Sequence, residues 1–240
     1  MAGPWINLKQ LKTSLSGFFS QHQKSVSIFG KTVNQTFEAF VFASAVGWYR
    51  TQQWTVTIEN PLDEETAKPV FKLKFSTRGR PSGYSYAKCT SGTSEVHIRH
   101  QLRVATRAYR PKQKTPANVC LDVAVIEPTD VTLYTTNTAV PNSQLVTFGE
   151  AKHMSAFAEL VAGFVGLVHE MQPNRLRRIR AKAWQNTIRS HPAPFLYVSG
   201  ILYHTAQGLK ETIERRRFDI DIYTQTTGLS KALHLPATIK

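Results

Sequence analysis

Two stretches of the chain are apolar on both sides of a strand alternation, Val119-Cys-Leu-Asp-Val-Ala-Val-Ile126 and Leu145-Val-Thr-Phe-Gly-Glu-Ala-Lys152. Runs of this kind predict short strands buried on both faces, at the centre of a sheet. Helical periodicity appears on either side of them in sequence. Val33, Phe37, Phe40, Val41, Ala45 and Trp48 fall on one face, interrupted only by Ser44, and predict a helix over 33–49. Phe157, Leu160, Val161, Phe164, Leu167, Val168 and Met171 predict a second helix over 155–171. Ser155 is its expected N-cap, and Gly163 and Gly166 are expected to allow close packing on the sheet. A weaker pattern from Ile6 to Phe19 predicts an N-terminal helix.

Elsewhere the period is two. Trp54, Val56 and Ile58 alternate with polar residues, as do Phe71, Leu73 and Phe75, and predict a hairpin with a loose loop. Residues 78–94, rich in Gly, Ser and Arg, read as a long surface loop. Val96, Ile98, His100, Leu102 and Val104 predict one face of a strand whose other face, His97, Arg99, Gln101 and Arg103, is polar and cationic. Asn174 to Ser190 predicts a basic helix, Phe195–Val198 a strand, Thr205–Arg217 a helix, and Phe218, Ile220 and Ile222 a last strand. The predicted class is α/β, a mixed central β-sheet flanked by α-helices. Residues 1–240 read as one domain with a core at about 33–171, an N-terminal helix and C-terminal basic additions.

Composition narrows the partners. With 30 Lys+Arg against 16 Asp+Glu the net charge is +14, so the molecule's field attracts polyanions and nucleic acid is the first partner to consider. Two cysteines make neither a disulfide framework nor a zinc spacing. The sequence has no apolar run of membrane-spanning length and no signal-peptide pattern, so a soluble cytoplasmic protein is the expectation. It also has no Gly-rich phosphate loop.

Charge inside the apolar strands is the feature that asks for chemistry. Asp122 sits in the middle of the first, and Glu150 and Lys152 end the second, two residues apart on one face. A buried carboxylate is tolerated when it is paired, hydrogen-bonded or holding a metal. The structural alternative is that Asp122 pairs with a buried cation while Glu150 and Lys152 form an ordinary ion pair. Asp219 and Asp221 are a second carboxylate pair, expected to bridge to Arg215, Arg216 and Arg217. His153 and His169 read as structural.

On Asp122, the Glu150-Ala151-Lys152 triplet and the two flanking helices, the chain resembles the PD-(D/E)XK, restriction-endonuclease-like nucleases, with Leu121 where the name has Pro. The resemblance implies a restriction-endonuclease-like core and a metal-dependent endonuclease that hydrolyses phosphodiester bonds in DNA. It implies Mg²⁺, or Mn²⁺, held by Asp122, Glu150 and the Ala151 carbonyl. Lys152 would orient or activate the water and neutralise charge on the phosphate. Glu38, on the first helix, would assist the metal site; its other reading is a glutamate stabilised by the helix dipole. Arg99, Arg103, Arg178 and Arg180 are the expected phosphate contacts. A homodimer, another homo-oligomer or a partner subunit fits the family, which includes restriction, repair, transposition and anti-phage nucleases. The competing function is a nucleic-acid-binding or assembly protein with the same fold and no turnover.

Overall fold

The computed structural model describes residues 33–110, 114–134, 138–179 and 189–224. Its elements run α1 (Val33–Thr51), β1 (Thr55–Glu59), β2 (Tyr86–Ser91), β3 (Ser94–Ala105), β4 (Asn118–Ile126), β5 (Leu145–Lys152), α2 (Ala158–Met171), β6 (Phe195–Val198), α3 (His204–Arg216) and β7 (Asp221–Thr224). Among the described residues seven strands form one mixed sheet in sequential order. Neighbours from β1 to β5 are antiparallel, whereas β6 is parallel to β5 and β7 to β6. Parallel neighbours need crossover connections, and α2 and α3 lie in the two that this sheet requires.

Alternate residues of β4 bury against different layers. Val123 and Val125 pack in a cluster with Phe37, Phe40 and Val41 of α1, while Ala124 and Ile126 pack in another with Val161, Phe164 and Val168 of α2 and Ile213 of α3. Helices therefore cover both faces, which is why this strand is apolar in both directions. Each fully buried side chain of this size stabilises the fold by about 1.5–3 kcal/mol. Ser44, the one polar residue on the α1 stripe, is buried and donates to the Phe40 carbonyl at 2.9 Å, so its hydroxyl is satisfied within the helix.

Several elements differ from the sequence expectation. β1 pairs with β2, which lies inside the stretch expected to be a surface loop. Ala87 and Cys89 of β2 are fully buried, and their small size inside Gly/Ser-rich sequence hides the alternation. Phe71–Phe75 is not a strand of the sheet, because Phe71, Leu73 and Lys74 are all buried and the Lys74 ammonium is used inside, on the Gln101 carbonyl. Helix α2 begins at Ala158, and Ser155 does not cap it; the Ser155 hydroxyl accepts from the Ile201 N–H at 3.3 Å. Gly163 and Gly166 are exposed, and a Cβ at either would meet nothing within 4 Å, so the close approach expected there is absent. The expected helix over 6–19 lies outside the described residues. Of the expected helix over 174–190, the described part is a 3₁₀ turn, Pro173–Leu176, followed by non-helical chain to Ile179, then Arg189 and Ser190. Among the described residues no helix is long and apolar enough to cross a membrane.

Candidate active site

β4 and β5 pair from Ile126 with Leu145 to Val123 with Gly149, and there the sheet forks. Beyond the fork β4 continues along β3 as far as Asn118, and β5 continues along β6 as far as Lys152. Asp122 is the first β4 residue past the last pair, and Glu150 is its counterpart on β5. The fork leaves backbone donors without a strand partner. Asp122 fills the gap: its Oδ2 accepts from the Ala151 N–H at 2.9 Å. Gly149 closes the fork from behind, because the Phe195 ring covers it and a Cβ there would come within 2.1 Å of that ring.

Three charged groups meet in this opening. Lys152 Nζ donates to Asp122 Oδ2 and to Glu150 Oε2, both at 3.0 Å. The Asp122 and Glu150 side chains are 9% and 13% exposed, so one ammonium faces two nearly buried carboxylates. Burial first, and the Asp122 charge second, push Glu150 up to about 7 against the pull of Lys152. Burial alone would lower Lys152, but the two carboxylates outweigh it and hold the ammonium above the usual lysine range. Glu150 Oε1 is buried without a hydrogen-bond partner.

Glu38 joins through an intermediary. Gln101 Nε2 donates to Glu38 Oε2 at 3.0 Å and to Asp122 Oδ1 at 2.8 Å, while Gln101 Oε1 accepts from the Cys120 thiol at 3.3 Å. His100 Nε2 also approaches Glu38 Oε2, at 3.4 Å, and its Nδ1 is 2.5 Å from the Lys74 carbonyl. A carbonyl only accepts, so His100 Nδ1 carries a proton. Gln101 has φ +52°, a left-handed conformation in the middle of a strand. Around it both strands change layers: Ile98 and Val123 pack under α1, whereas Leu102 and Leu121 pack under α2 and α3. No sequence signal announces either property of Gln101.

The arrangement opens on a cavity of ≈ 190 Å³ between Glu150 and Lys152 on one side and Leu160, Gly163, Phe164 and Leu167 of α2 on the other. The bare Gly163 thus borders the site.

The expected phosphate contacts are distributed differently. Arg99 is 5% exposed, lies 4.0 Å from the Tyr86 ring centre and donates to the Pro81 carbonyl, so it holds that turn instead of presenting an open cation; burial lowers it to about 10. His97 and Gln101 are buried too, so the polar side of β3 is not a solvent-facing surface. Arg103 is half-buried and donates to Asn118 Oδ1 at 2.6 Å; Arg178 is exposed, and Arg180 lies outside the described residues. Asp219 and Asp221 are salt-bridged as expected, but to Arg175 and Arg189, not to Arg215, Arg216 or Arg217. His169 is exposed at the end of α2, and His153 lies 5.8 Å from Phe37, ring to ring.

Among the described residues no three His, Cys, Asp or Glu side chains are grouped to hold a metal ion. A set of two carboxylates and a backbone carbonyl would not make such a group. Its chemistry does suit a hard divalent cation: the donors are oxygens, the carboxylates outnumber the ammonium, and Glu150 Oε1 has no other partner. No family model, curated protein or solved structure matches the chain.

Proposed function

We propose that the protein is a metal-dependent nuclease that hydrolyses phosphodiester bonds in DNA and has a restriction-endonuclease-like core. One observation carries the reading: Asp122 and Glu150, on adjacent central strands that part at that point, share the ammonium of Lys152. The element order supports it, with α1 before the two strands and α2 directly after the Glu150-Ala151-Lys152 triplet. Asp122, Glu150 and the Ala151 carbonyl are the groups that would hold Mg²⁺ or Mn²⁺. When bound, the cation lowers the pKa of a coordinated water and offsets charge on the phosphate. Lys152, kept charged by its carboxylates, adds a fixed positive group for the phosphate oxygens. Gln101 fixes the orientation of Asp122 and ties Glu38 to it. Cleavage of supercoiled, linear and single-stranded DNA and of RNA, with and without Mg²⁺, tests the reading; no metal-stimulated cleavage of any of them would end it.

A second reading has its own observation. Lys152 already pairs with both Asp122 and Glu150, which suits a nucleic-acid-binding protein that keeps this fold without turnover. A parent protein that binds DNA, cleaves nothing and shows no melting shift with Mg²⁺ would favour it.

A further inference from the structure

Lys74 is 3% exposed, and its ammonium donates to the Gln101 carbonyl at 2.8 Å. It lines a cleft of ≈ 10 Å³ together with Arg103, Thr77, Gly79, Pro81 and Tyr134. That is room for one water-sized group. Arg103 gives one nitrogen to Asn118, reaches toward the Thr77 carbonyl at 3.5 Å with another, and keeps a buried Nε without a hydrogen-bond partner. Two cations therefore line one small cleft. All sixteen Asp and Glu of the chain lie among the described residues, and none forms a salt bridge with Lys74 or Arg103. Burying an ammonium without a counter-charge is unfavourable, and burial together with Arg103 draws Lys74 below the usual lysine range.

The cleft is coupled to the candidate active site through one residue. Gln101 receives Lys74 on its backbone and contacts Asp122 with its side chain. Arg103 pairs across the strands with Cys120, so Asp122 is its diagonal neighbour. Backbone positions in such a diagonal relation lie about 7–8 Å apart, near enough for one strand to reach both the cleft and the candidate active site.

We propose that Lys74 and Arg103 form a subsite for a phosphodiester oxygen of a nucleic-acid strand, one phosphate along from the bond presented to Asp122, Glu150 and Lys152. The position relative to those three rests on the nuclease reading; anion capture by the two cations does not.

The test uses the full chain in EDTA, so that no cleavage is involved. A labelled single-stranded oligonucleotide is titrated into the parent, Lys74→Met and Arg103→Gln, and each protein is melted with and without inorganic phosphate at constant ionic strength. Either substitution should weaken oligonucleotide binding about tenfold. Phosphate should raise the parent's melting temperature and leave both variants unmoved. Without phosphate, Lys74→Met should melt no lower than the parent, because it removes a buried uncompensated cation. Unchanged oligonucleotide affinity in both variants would overturn the subsite. A lowered melting temperature in Lys74→Met with the phosphate response intact would overturn it as well, making Lys74 a structural ammonium. Phosphate protection with no change in oligonucleotide affinity would leave a free-anion site and overturn the strand contact. If Lys74→Met does not fold, Arg103→Gln decides by the same two readouts. Loss of oligonucleotide binding in a protein that never cleaves would sink the nuclease reading and leave the subsite standing.

Discussion

Gln101 donates its side-chain amide to Asp122 at 2.8 Å from a backbone whose φ is +52°. A non-glycine residue in this region costs roughly 1–2 kcal/mol. The same amide also reaches Glu38, so the strained residue links the α1 glutamate to the strand carboxylate. Gln101→Gly should relieve the backbone cost and lose the three side-chain hydrogen bonds, whereas Gln101→Ala loses the bonds and keeps the strain. Ala should therefore be the less stable of the two by about 1 kcal/mol, measured by urea unfolding. Both should bind metal more weakly than the parent; equal metal affinity would remove Gln101 from the positioning of Asp122.

Asp122→Ala, Glu150→Ala and Lys152→Ala should each reduce metal-dependent cleavage by about a hundredfold or more. The carboxylate variants should lose metal affinity, read by calorimetry, because each removes an oxygen ligand. Lys152→Ala should keep more metal binding and lose turnover. Parent-like cleavage by all three would refute the catalytic assignment.

Glu150 gives a pH test. Its folded-state carboxyl sits at about 7, above the ordinary carboxylate range, so the native state holds the proton more tightly than the unfolded chain. Stability of the metal-free parent should therefore fall as pH rises from about 4.5 to 7. Glu150→Gln lacks this titration, and its stability advantage over the parent should grow across the same window. Metal affinity should move oppositely, rising through about pH 7 as the carboxylate loses its proton. Thermal melts at pH 5 and 8, with and without Mg²⁺, check both signs.

Gly149→Ala places a methyl into the Phe195 ring, one residue before Glu150. Overpacking of this kind costs about 1–3 kcal/mol. Phe195→Leu in the same chain should recover part of the loss, and a double-mutant cycle would measure that coupling. Additive effects would mean that the ring does not set the position of Gly149.

The central strands, both principal helices and the Asp122, Glu150 and Lys152 group were legible because each rests on a pattern the sequence carries directly. β4 and β5 are apolar on both sides, and a charge in such a strand stands out against its neighbours. β2 was not legible, since Ala87 and Cys89 are too small to mark an inward face among Ser and Gly. Phe71–Phe75 misled in the opposite direction: its alternation is real, but Lys74 is buried instead of exposed. Arg99 looked like an open cation because sequence shows its charge and not the Tyr86 ring beside it. Gln101 was legible only as a polar face residue; its positive φ and its link from Glu38 to Asp122 depend on the meeting of three separate elements.

The fork between β4 and β5 also gives the protein a built-in spectroscopic reporter. Past the last β4–β5 pair, the Ala151 N–H is directed to the Asp122 carboxylate, so its resonance frequency and its exchange with deuterium follow the state of that one side chain. A proton, a cation or a substrate phosphate arriving at Asp122 would each perturb this signal, and a single labelled alanine would let the occupancy of the site be followed without any turnover.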